Sequence, residues 1–296
     1  MAKSKSPKVL VTGTSGHAGC VLARRLHEGG YSVRALVRTE EQASIARQSG
    51  WEPFLGDLTQ PSTLAPAVRG VNFVLHSAAY LGDDHSIAHA VNVDGTRSLA
   101  EQALEAGIQR FVHISTVSVH GEVLPSVVDE ETPLVTANEI PYVITKSLAE
   151  LALGELKARG LDTVILRPGM ITSEVRSQWG DERVERMRAQ GWPKNLHPDD
   201  VMPWVHTENL AEMSWLALTH PAATNEVFLA VDRNVAFRDF YGPIANALGK
   251  PIIPPPRAPE ICQCRIGKIA NRLGYRPRHT FEETLTHLLE MARTSR

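Results

Sequence analysis

A tyrosine and a lysine stand four residues apart in segment 142–146 (YVITK). On a helix, Tyr142 and Lys146 would lie on one face, one turn apart. A phenol has an ordinary pKa of about 10, and a neighbouring ammonium group lowers that pKa because it favours the phenolate. The spacing therefore predicts a tyrosine that serves as a general acid or base near neutral pH. A surface helix on which a tyrosine packs against a lysine stem would show the same spacing.

Hydroxyl side chains follow one of the predicted strands. The β-rich run at residues 110–115 ends in Ser115 and continues into Thr116 and Ser118. Ligands of open α/β sheets bind where the parallel strands deliver their carboxyl ends. A hydroxyl at this point could orient a substrate carbonyl beside Tyr142.

Three glycines punctuate segment 12–19 (TGTSGHAG), between a β-rich run at 8–12 and a helical pattern at about 18–28. A tight strand-to-helix turn needs a residue that tolerates positive φ, and a pyrophosphate can approach glycine backbone without meeting a Cβ. Backbone N–H groups around His17 and Ala18 would point at the phosphates from the positive end of the helix. The pattern predicts a dinucleotide site in this context, and a turn that only connects two elements is the alternative.

The end of the second predicted strand carries arginine rather than a carboxylate. An acidic residue there bonds the ribose 2′-hydroxyl of NAD, whereas an arginine accepts the 2′-phosphate of NADP. Arg34 and Arg38 fall on the same side of an extended segment, and a guanidinium suits bidentate phosphate binding. The sequence therefore favours NADP(H), while NAD(H) stays open because Glu40 or Glu41 could turn back towards the ribose. Two solvated charges at a sheet edge would give the same sequence.

Strand and helix patterns alternate over the first 169 residues. This alternation is typical of a parallel sheet that helices cover on both faces. The predicted fold class is α/β, a Rossmann-type doubly wound parallel sheet whose strand order reverses beside the first strand. Strands are predicted at 8–12, 32–37, 52–55, 72–76, 110–115, 163–167 and 226–230, and helices at about 18–28, 39–48, 91–106, 141–159 and 209–218.

The alternation weakens after about residue 169. Residues 172–204 are polar and show no strand–helix rhythm, and a proline-rich run at 251–259 precedes a final helix from about 281. These stretches are expected to form a smaller C-terminal substrate-binding lobe at the carboxyl edge of the sheet. The expected domains are a dinucleotide-binding domain, 1–169, to which a strand and a helix at about 205–232 return, and the lobe, 170–204 and 233–296.

Composition excludes several classes of protein. Of 296 residues, 43% are hydrophobic and 22% are charged, and the formal net charge is -2. A disordered chain is excluded, and the near-neutral balance gives no general attraction to nucleic acid or to an anionic membrane. No run approaches the roughly 20 apolar residues that span a bilayer, and no signal-peptide core precedes the first turn signals. The expectation is a cytoplasmic protein without a nucleic-acid or membrane partner.

Twelve histidines and three cysteines raise the question of a metal site. No HExxH-like or paired spacing is present, and Cys262 and Cys264 lack a second ligand pair at zinc spacing. No metal site is therefore expected, and His76, His113 and His206 are predicted to be packed or hydrogen-bonded.

In this order, the motifs resemble those of extended short-chain dehydrogenases/reductases of the NAD-dependent epimerase/dehydratase type. The resemblance runs over most of the chain. Its segments are 12–19 (TGTSGHAG), 56–58 (GDL), 76–79 (HSAA), 92–96 (NVDGT), 115–121 (STVSVHG), 142–146 (YVITK), 166–169 (LRPG) and 205–211 (VHTENLA).

The resemblance implies a role for each matching position. Tyr142 is the implied acid or base, and Lys146 lowers its pKa and holds the nicotinamide ribose. Thr116 is the implied third catalytic residue, with Ser115 as the neighbour that can substitute. The implied cofactor contacts are the cradle residues Gly13, Ser15, Gly16, His17, Ala18 and Gly19, the 2′-phosphate ligand Arg38, Asp57 and Leu58 beside the adenine, and Ala78, Ala79, Pro168 and Ile171 on the nicotinamide side.

Within the family, residues 13–38 most resemble the dihydroflavonol-reductase-like and hydroxysteroid-dehydrogenase-like branches. That resemblance implies hydride transfer between NADP(H) and a carbonyl or alcohol substrate. Sugar-nucleotide epimerases usually have Tyr/Phe-Asn after the arginine of the sixth strand, where this chain has Pro168, Gly169 and Met170. Two alternatives stay open, a nucleotide-sugar epimerase or dehydratase with tightly bound NAD and a non-enzymatic NADP sensor. Family members often pair through the helices at 91–106 and 141–159, so a homodimer stays open, and Leu148, Leu151 and Leu156 could equally face their own sheet.

Overall fold

The computed structural model describes residues 6–294, and its strands follow the apolar runs of the sequence. In chain order, the strands are β1 (Lys8–Thr12), β2 (Ser32–Val37), β3 (Glu52–Leu55), β4 (Phe73–His76), β5 (Arg110–Ile114), β6 (Val127–Val128), β7 (Thr163–Pro168), β8 (Met170–Thr172), β9 (Val201–His206), β10 (Val227–Ala230), β11 (Arg233–Ala236) and β12 (Gln263–Cys264).

Helices connect most of these strands. They are α1 (His17–Glu28), α2 (Glu40–Gln48), α3 (Leu64–Val68), α4 (His85–Ala88), α5 (Gly95–Glu105), α6 (Pro141–Ala158), α7 (Asp181–Gln190), α8 (Thr207–Thr219), α9 (Phe237–Ala247), α10 (Lys268–Leu273) and α11 (Phe281–Thr294), with a π-helical turn at His89–Asp94 and 3₁₀ turns at Pro61–Thr63, Val117–His120 and Pro221–Ala223.

Seven strands form a parallel sheet in the order β10-β7-β5-β4-β1-β2-β3. The chain builds outward in one direction from β1 to β3 and then returns to the other side of β1 with β4. Thr12 at the end of β1 therefore lies between Leu36 of β2 and His76 of β4. The connections diverge at this point, which opens a crevice at the carboxyl ends of the strands. The predicted Rossmann-type doubly wound sheet is confirmed.

Both faces of the sheet are buried, as the strand sequences require. Val9 and Val11 of β1 pack on one face with Leu22 and Leu26 of α1. Leu10, between those two valines, points to the other face and packs in the core that α3, α5 and α6 cover. Alternation along one fully buried strand thus serves two apolar layers, which is why β1 is continuously apolar rather than amphipathic.

A second group of elements lies beyond the main sheet. Strands β11, β9 and β8 form a three-stranded sheet, and β12 pairs with β6. Trp204 of β9 packs with Phe240 and Phe281 from α9 and α11. Helix α8 and strand β10 pack with the central sheet, whereas β9 belongs to the three-stranded sheet. Helix α7 lies in the stretch where the sequence shows no alternation of strand and helix patterns. It buries only Val184 and Met187 against this core, so its apolar pattern is too sparse to indicate a helix.

The long helix α6 presents leucines on more than one side. Leu156 is fully buried against its own sheet, whereas Leu151 keeps 43% of its surface exposed. Pairing of two chains through α5 and α6 stays a prediction. In residues 6–294, no helix combines the length and the apolar character that a bilayer crossing requires.

A buried ion pair fixes α6 to β7. Arg167 of β7 donates hydrogen bonds through Nε and Nη2 to both carboxylate oxygens of Glu150 on α6, the shortest at 2.7 Å. The two side chains are only 5% and 2% exposed. Arg167 also donates through Nη1 to the carbonyl of Glu130 at 3.0 Å. Since a buried charge without its partner is strongly destabilising, this pair holds α6 in one position above the sheet.

The Arg167→Met variant is expected to lower the free energy of unfolding by about 3–5 kcal/mol, because it leaves the Glu150 carboxylate buried without a counter-charge. Urea unfolding followed by circular dichroism measures the change. Arg97→Met is the matched control. Arg97 of α5 pairs with Glu155 on the exposed side of α6, and the two side chains are 38% and 62% exposed. The control should lose less than about 1 kcal/mol, and equal losses in the two variants would contradict the prediction.

Candidate active site

A cavity of about 550 Å³ lies at the carboxyl ends of β1, β2, β4 and β5. It extends from the glycine turn after β1 to the first turns of α6. The predicted site residues that line it are Gly13, Ser15, Gly16, His17, Ala18, Gly19, Arg38, Asp57, Leu58, Ala78, Ala79, Ser115, Tyr142, Lys146 and Ile171. Two other predicted residues do not line it: Thr116 is buried just before the 3₁₀ turn Val117–His120, and Pro168 is buried at the end of β7, paired with Ala230.

Each of the three glycines in the turn is explained by a different physical constraint. Gly13 has a φ of +79°, and a Cβ there would lie 2.8 Å from the backbone nitrogen of Ala78. A Cβ on Gly19 would lie 2.1 Å from the Gly13 oxygen, so Gly19 allows α1 to pack on the turn. Gly16 is extended, with φ -80° and ψ 158°, and a Cβ there would meet only the Gly13 oxygen at 3.4 Å. The protein's own packing therefore does not require glycine at 16, whereas a ligand that approaches the turn would.

The start of α1 is suited to an anion. Its N-cap residue, Gly16, has no side chain that could accept a hydrogen bond, and its first turn contains no acidic residue. The N–H groups of His17, Ala18 and Gly19 precede the first possible intrahelical acceptors, so they are free to bind phosphate oxygens at the positive end of the helix. The turn thus fits the pyrophosphate of a dinucleotide.

The structure separates the two arginines of the second strand. Arg34 donates to Glu52 and to the carbonyl oxygens of Ala67 and Arg69, each at 2.8 Å. It ties β2 to β3 and to the end of α3, so the suggestion that Arg34 faces a phosphate together with Arg38 is wrong. Alternation along the strand does not relate them, because β2 ends at Val37 and Arg38 belongs to the turn that follows.

Arg38 is exposed at the rim of the cavity, beside Gln42. Within residues 6–294, no carboxylate forms an ion pair with its guanidinium. Glu40, which could have turned towards a ribose, accepts a hydrogen bond from Arg47 at 2.6 Å instead. The cavity therefore presents a cationic side chain after β2, while Glu40 is engaged with Arg47.

The segment after β3 contributes Asp57 and Leu58 to the lining of the cavity. The Asp57 carboxylate accepts hydrogen bonds from the backbone and the hydroxyl of Thr59, both at 2.8 Å. This Asx-type turn orients the loop, while Leu58 is 7% exposed and packs in the core beside the cavity. Ala78 and Ala79 follow β4, and their small side chains leave room where β4 and β1 diverge.

Tyr142 stands in the second position of α6, half-buried, and its phenol lies near the hydroxyl of Thr116. Burial raises the pKa of Tyr142, and the Thr116 hydroxyl offsets part of that rise. Ser115 is used differently, because its hydroxyl donates to Glu150. Of the two predicted hydroxyls, Thr116 is therefore the one beside the phenol, and Ser115 belongs to the support of α6.

Lys146 lies one turn along α6 and is 2% exposed. Its Nζ donates to the carbonyl oxygen of Ile114 at 2.7 Å and lies 2.9 Å from Nε2 of His113. Burial lowers the pKa of Lys146 to about 7, although the carboxylate of Glu150 opposes this shift. Desolvation is the largest influence on the pKa of both groups, and it raises that of Tyr142; the role of Lys146 in lowering the pKa of Tyr142 stays a prediction.

Asn92 connects the loop beside the cavity to α6. Its Oδ1 accepts from the backbone N–H of Tyr80 at 2.7 Å, and its Nδ2 donates to the Tyr80 carbonyl and to Oγ1 of Thr145, both at 3.0 Å. Thr145 in turn donates to the carbonyl of Pro141. The π-helical turn at His89–Asp94 places Asn92 inside the fold, where the sequence had predicted a regular helix; such turns are frequent at functional sites.

The predicted core histidines are hydrogen-bonded. His76 bonds Thr12 and Thr96 at 2.7 and 2.8 Å, and burial lowers its pKa to about 3. His206 faces Glu174 at 3.2 Å. In the part of the chain that the structure describes, no group of three potential ligands is arranged to hold a metal ion.

Comparison with known proteins agrees with the geometry. A model of the NAD dependent epimerase/dehydratase family matches residues 9–230. The chain belongs to this family. This family unites NAD-dependent oxidoreductases, epimerases and dehydratases, and membership accounts for the glycine turn, the cavity and the Tyr142–Lys146 pair together.

Individual relatives cover more than one of these activities. The 4-hydroxy-2-methyl-3-oxo-4-farnesyl-3,4-dihydroquinoline-1-oxide ketoreductase of Stigmatella aurantiaca is 31% identical over 236 residues, 79% of this chain and 71% of that protein. The UDP-glucose 4-epimerase of Vibrio cholerae is 29% identical over 279 residues, 90% of this chain and 83% of that protein. A short-chain dehydrogenase/reductase superfamily protein from Agrobacterium tumefaciens, solved with bound NAD, superimposes with a TM-score of 0.80 at 26% identity and covers 97% of each chain.

Part of the cavity lining consists of residues that the sequence motifs did not indicate. The additional lining residues are Thr12, Leu36, Gln42, Gly56, Ser77, Tyr80, Leu81, Ile87, Val91 and Ile114. Thr12 could have been found as the residue before the first glycine. The loop at 80–87 carries no motif, and only tertiary contacts such as the Asn92 clamp bring it to the cavity.

Gly16→Ala is expected to weaken NAD⁺ binding at least about tenfold, because the methyl group enters the space that the pyrophosphate needs. The free energy of unfolding should change by less than about 1 kcal/mol, since the extended backbone of Gly16 accepts alanine. Isothermal titration calorimetry and urea unfolding measure the two quantities.

Gly19→Ala is the contrasting variant, because its methyl group clashes with the chain itself. It should lose about 1–3 kcal/mol of stability. Unchanged NAD⁺ affinity in Gly16→Ala would show that the turn does not hold the phosphates.

Proposed function

We propose that this protein is an NAD(P)(H)-dependent oxidoreductase, with NADP(H) favoured, that transfers hydride between nicotinamide and a carbonyl or alcohol substrate. The observation that carries the proposal is a cavity that runs from the glycine turn at one end to Tyr142 and Lys146, one helical turn apart on α6, at the other. A bound nicotinamide supplies or accepts the hydride, and the protein supplies orientation and the proton.

The proposed roles follow from position and charge. Tyr142 donates its proton to the substrate oxygen during reduction, and the raised pKa keeps the phenol protonated near neutral pH. Thr116 does not line the cavity, so its proposed role is to support the phenol of Tyr142, whose pKa its hydroxyl lowers. Lys146, whose pKa lies near 7, favours departure of the phenolic proton when it carries its charge.

The cavity wall beyond the cradle favours a substrate with an apolar body. Tyr80, Leu81, Ile87 and Val91 contribute this wall, and Leu81 is 68% exposed although it is a large apolar residue. Exposed apolar side chains beside a cavity are typical of a binding surface. The Stigmatella relative is named as a ketoreductase of a farnesylated quinoline, which supports a carbonyl on an apolar framework.

The position after β7 distinguishes this proposal from the nucleotide-sugar alternative. Epimerases usually have asparagine near this position, where this chain has Met170. The Met170 side chain has no amide group that could bind a diphosphate, and it is 5% exposed and packs in a hydrophobic core. Gly169 has no room for a side chain, because a Cβ would lie 2.3 Å from the Pro203 oxygen. Similarity to the Vibrio epimerase keeps the alternative in view. Purified protein with tightly bound NAD and no net cofactor consumption would support it over the oxidoreductase.

Tyr142→Phe is expected to lower kcat for carbonyl reduction by about 10²–10⁴, because the general acid is lost. NADPH oxidation is measured at 340 nm with a panel of aldehydes, ketones, flavonoid-like carbonyls and ketosteroids. Cofactor affinity should not change. Tyr31→Phe, at a tyrosine that packs between Phe73 and Trp215 outside the cavity, is the control with unchanged turnover. Full activity of Tyr142→Phe would remove the tyrosine from the mechanism.

Arg38→Ala should weaken NADP⁺ binding at least about tenfold and change NAD⁺ binding little, because a charged hydrogen bond to the 2′-phosphate is removed. Titrations with both dinucleotides measure the ratio. Arg47→Ala removes a neighbouring exposed arginine that pairs with Glu40 and serves as the control. Equal loss for both dinucleotides, or no loss for NADP⁺, contradicts the assigned preference.

A further inference from the structure

A buried histidine contacts the lysine of the candidate site. His113 lies on β5 and is 1% exposed. Its Nε2 is 2.9 Å from Nζ of Lys146, and Nζ also donates to the carbonyl of Ile114 at 2.7 Å. Of the side chains in residues 6–294, His113 is the one within hydrogen-bonding distance of this amine.

The partner determines the tautomer of His113. A protonated lysine only donates hydrogen bonds, so Nε2 of the neutral ring must accept and the ring proton must lie on Nδ1. That Nδ1 is buried and has no hydrogen-bond partner among the described residues. A buried N–H without a partner is unfavourable for folding, and an apolar residue on β5 would avoid it. Stability of the sheet therefore does not account for histidine at 113, whereas its contact with Lys146 does.

Other charged groups around Lys146 are already engaged. Glu150, one turn further along α6, accepts from Arg167 of β7 and from Ser115. His76 of β4 stacks near the His113 ring at 5.2 Å, but both of its nitrogens bond threonine hydroxyls. Tyr142 lies one turn back on α6. The groups that face Lys146 from α6, β4 and β7 thus act through space, and His113 acts by direct contact.

We propose that His113 is a positioning residue, which accepts a hydrogen bond from Lys146 and thereby keeps this lysine protonated and directed along the cavity beside Tyr142. A hydrogen bond to the charged form of a group favours that form. Burial lowers the pKa of Lys146 to about 7, so near neutral pH each acceptor at its amine changes how much of the lysine carries charge, and His113 acts in addition to the Ile114 carbonyl. This inference rests on the proposed function, because the charge matters through the proton that Tyr142 transfers.

The first test measures the lysine itself, without substrate. The pH dependence of Lys146 acetylation by acetic anhydride is followed by peptide mass spectrometry. The titration midpoint should fall by about one pH unit in His113→Leu, because the charged form loses one hydrogen bond. His113→Gln should restore it, since the glutamine amide oxygen reaches the place of Nε2. Lys157 on the same helix, which bonds the Asn225 carbonyl, is the internal control with an unchanged midpoint.

A second variant covers the case in which His113→Leu does not fold. His113→Asn keeps a polar side chain, but its amide reaches only the Nδ1 position, so the midpoint should fall as in His113→Leu. In both variants, the fall of kcat/KM for carbonyl reduction at high pH should begin at a lower pH, by the same number of pH units as the titration midpoint. A wild-type midpoint in the folded variants, or a failure of His113→Gln to restore it, would falsify the proposal. A shifted midpoint in a protein that reduces no carbonyl would instead uphold the contact and overturn the proposed function.

Discussion

The contact between α6 and the carboxyl end of β5 determines the geometry of the candidate site. Three residues on successive turns of α6 each meet β5 or the residues that follow it: Tyr142 meets Thr116, Lys146 meets His113, and Glu150 meets Ser115. Moving α6 would therefore disturb all three pairs at once, and the Arg167–Glu150 pair prevents that movement.

Burial has opposite effects on the two titrating groups of this contact. It raises the pKa of Tyr142 and lowers that of Lys146, since it disfavours the charged form of each. Near neutral pH, Tyr142 is thus a protonated phenol, which is the form that reduction of a carbonyl consumes. Lys146 changes charge in the same pH range. Small changes around its amine, of the kind that His113 provides, then change the fraction of Lys146 that carries charge.

The cavity combines two chemically different halves. One half consists of backbone N–H groups at the start of α1 and a cationic rim at Arg38, which suit phosphate. The other half consists of the apolar loop that Asn92 clamps to α6. His17 joins the cradle to the lobe, because its side chain bonds Ser173 at 2.9 Å. The first turn of α1 is thereby attached to the loop after β8, beside the cavity.

The sequence by itself determined the features that depend on local spacing. These features are each strand and helix, the glycine turn, and the spacing of Tyr142 and Lys146. Each depends on a segment shorter than 20 residues, in which backbone geometry determines the local structure. Tertiary structure decided what depends on distant partners. Only the fold shows that Arg34 is committed to Glu52, whereas no carboxylate within residues 6–294 pairs with Arg38. Only the fold shows that Ser115 bonds Glu150 and that Thr116 is the hydroxyl near the phenol. The pKa directions belong to the same group, because desolvation arises from residues far apart in the chain that pack around one site.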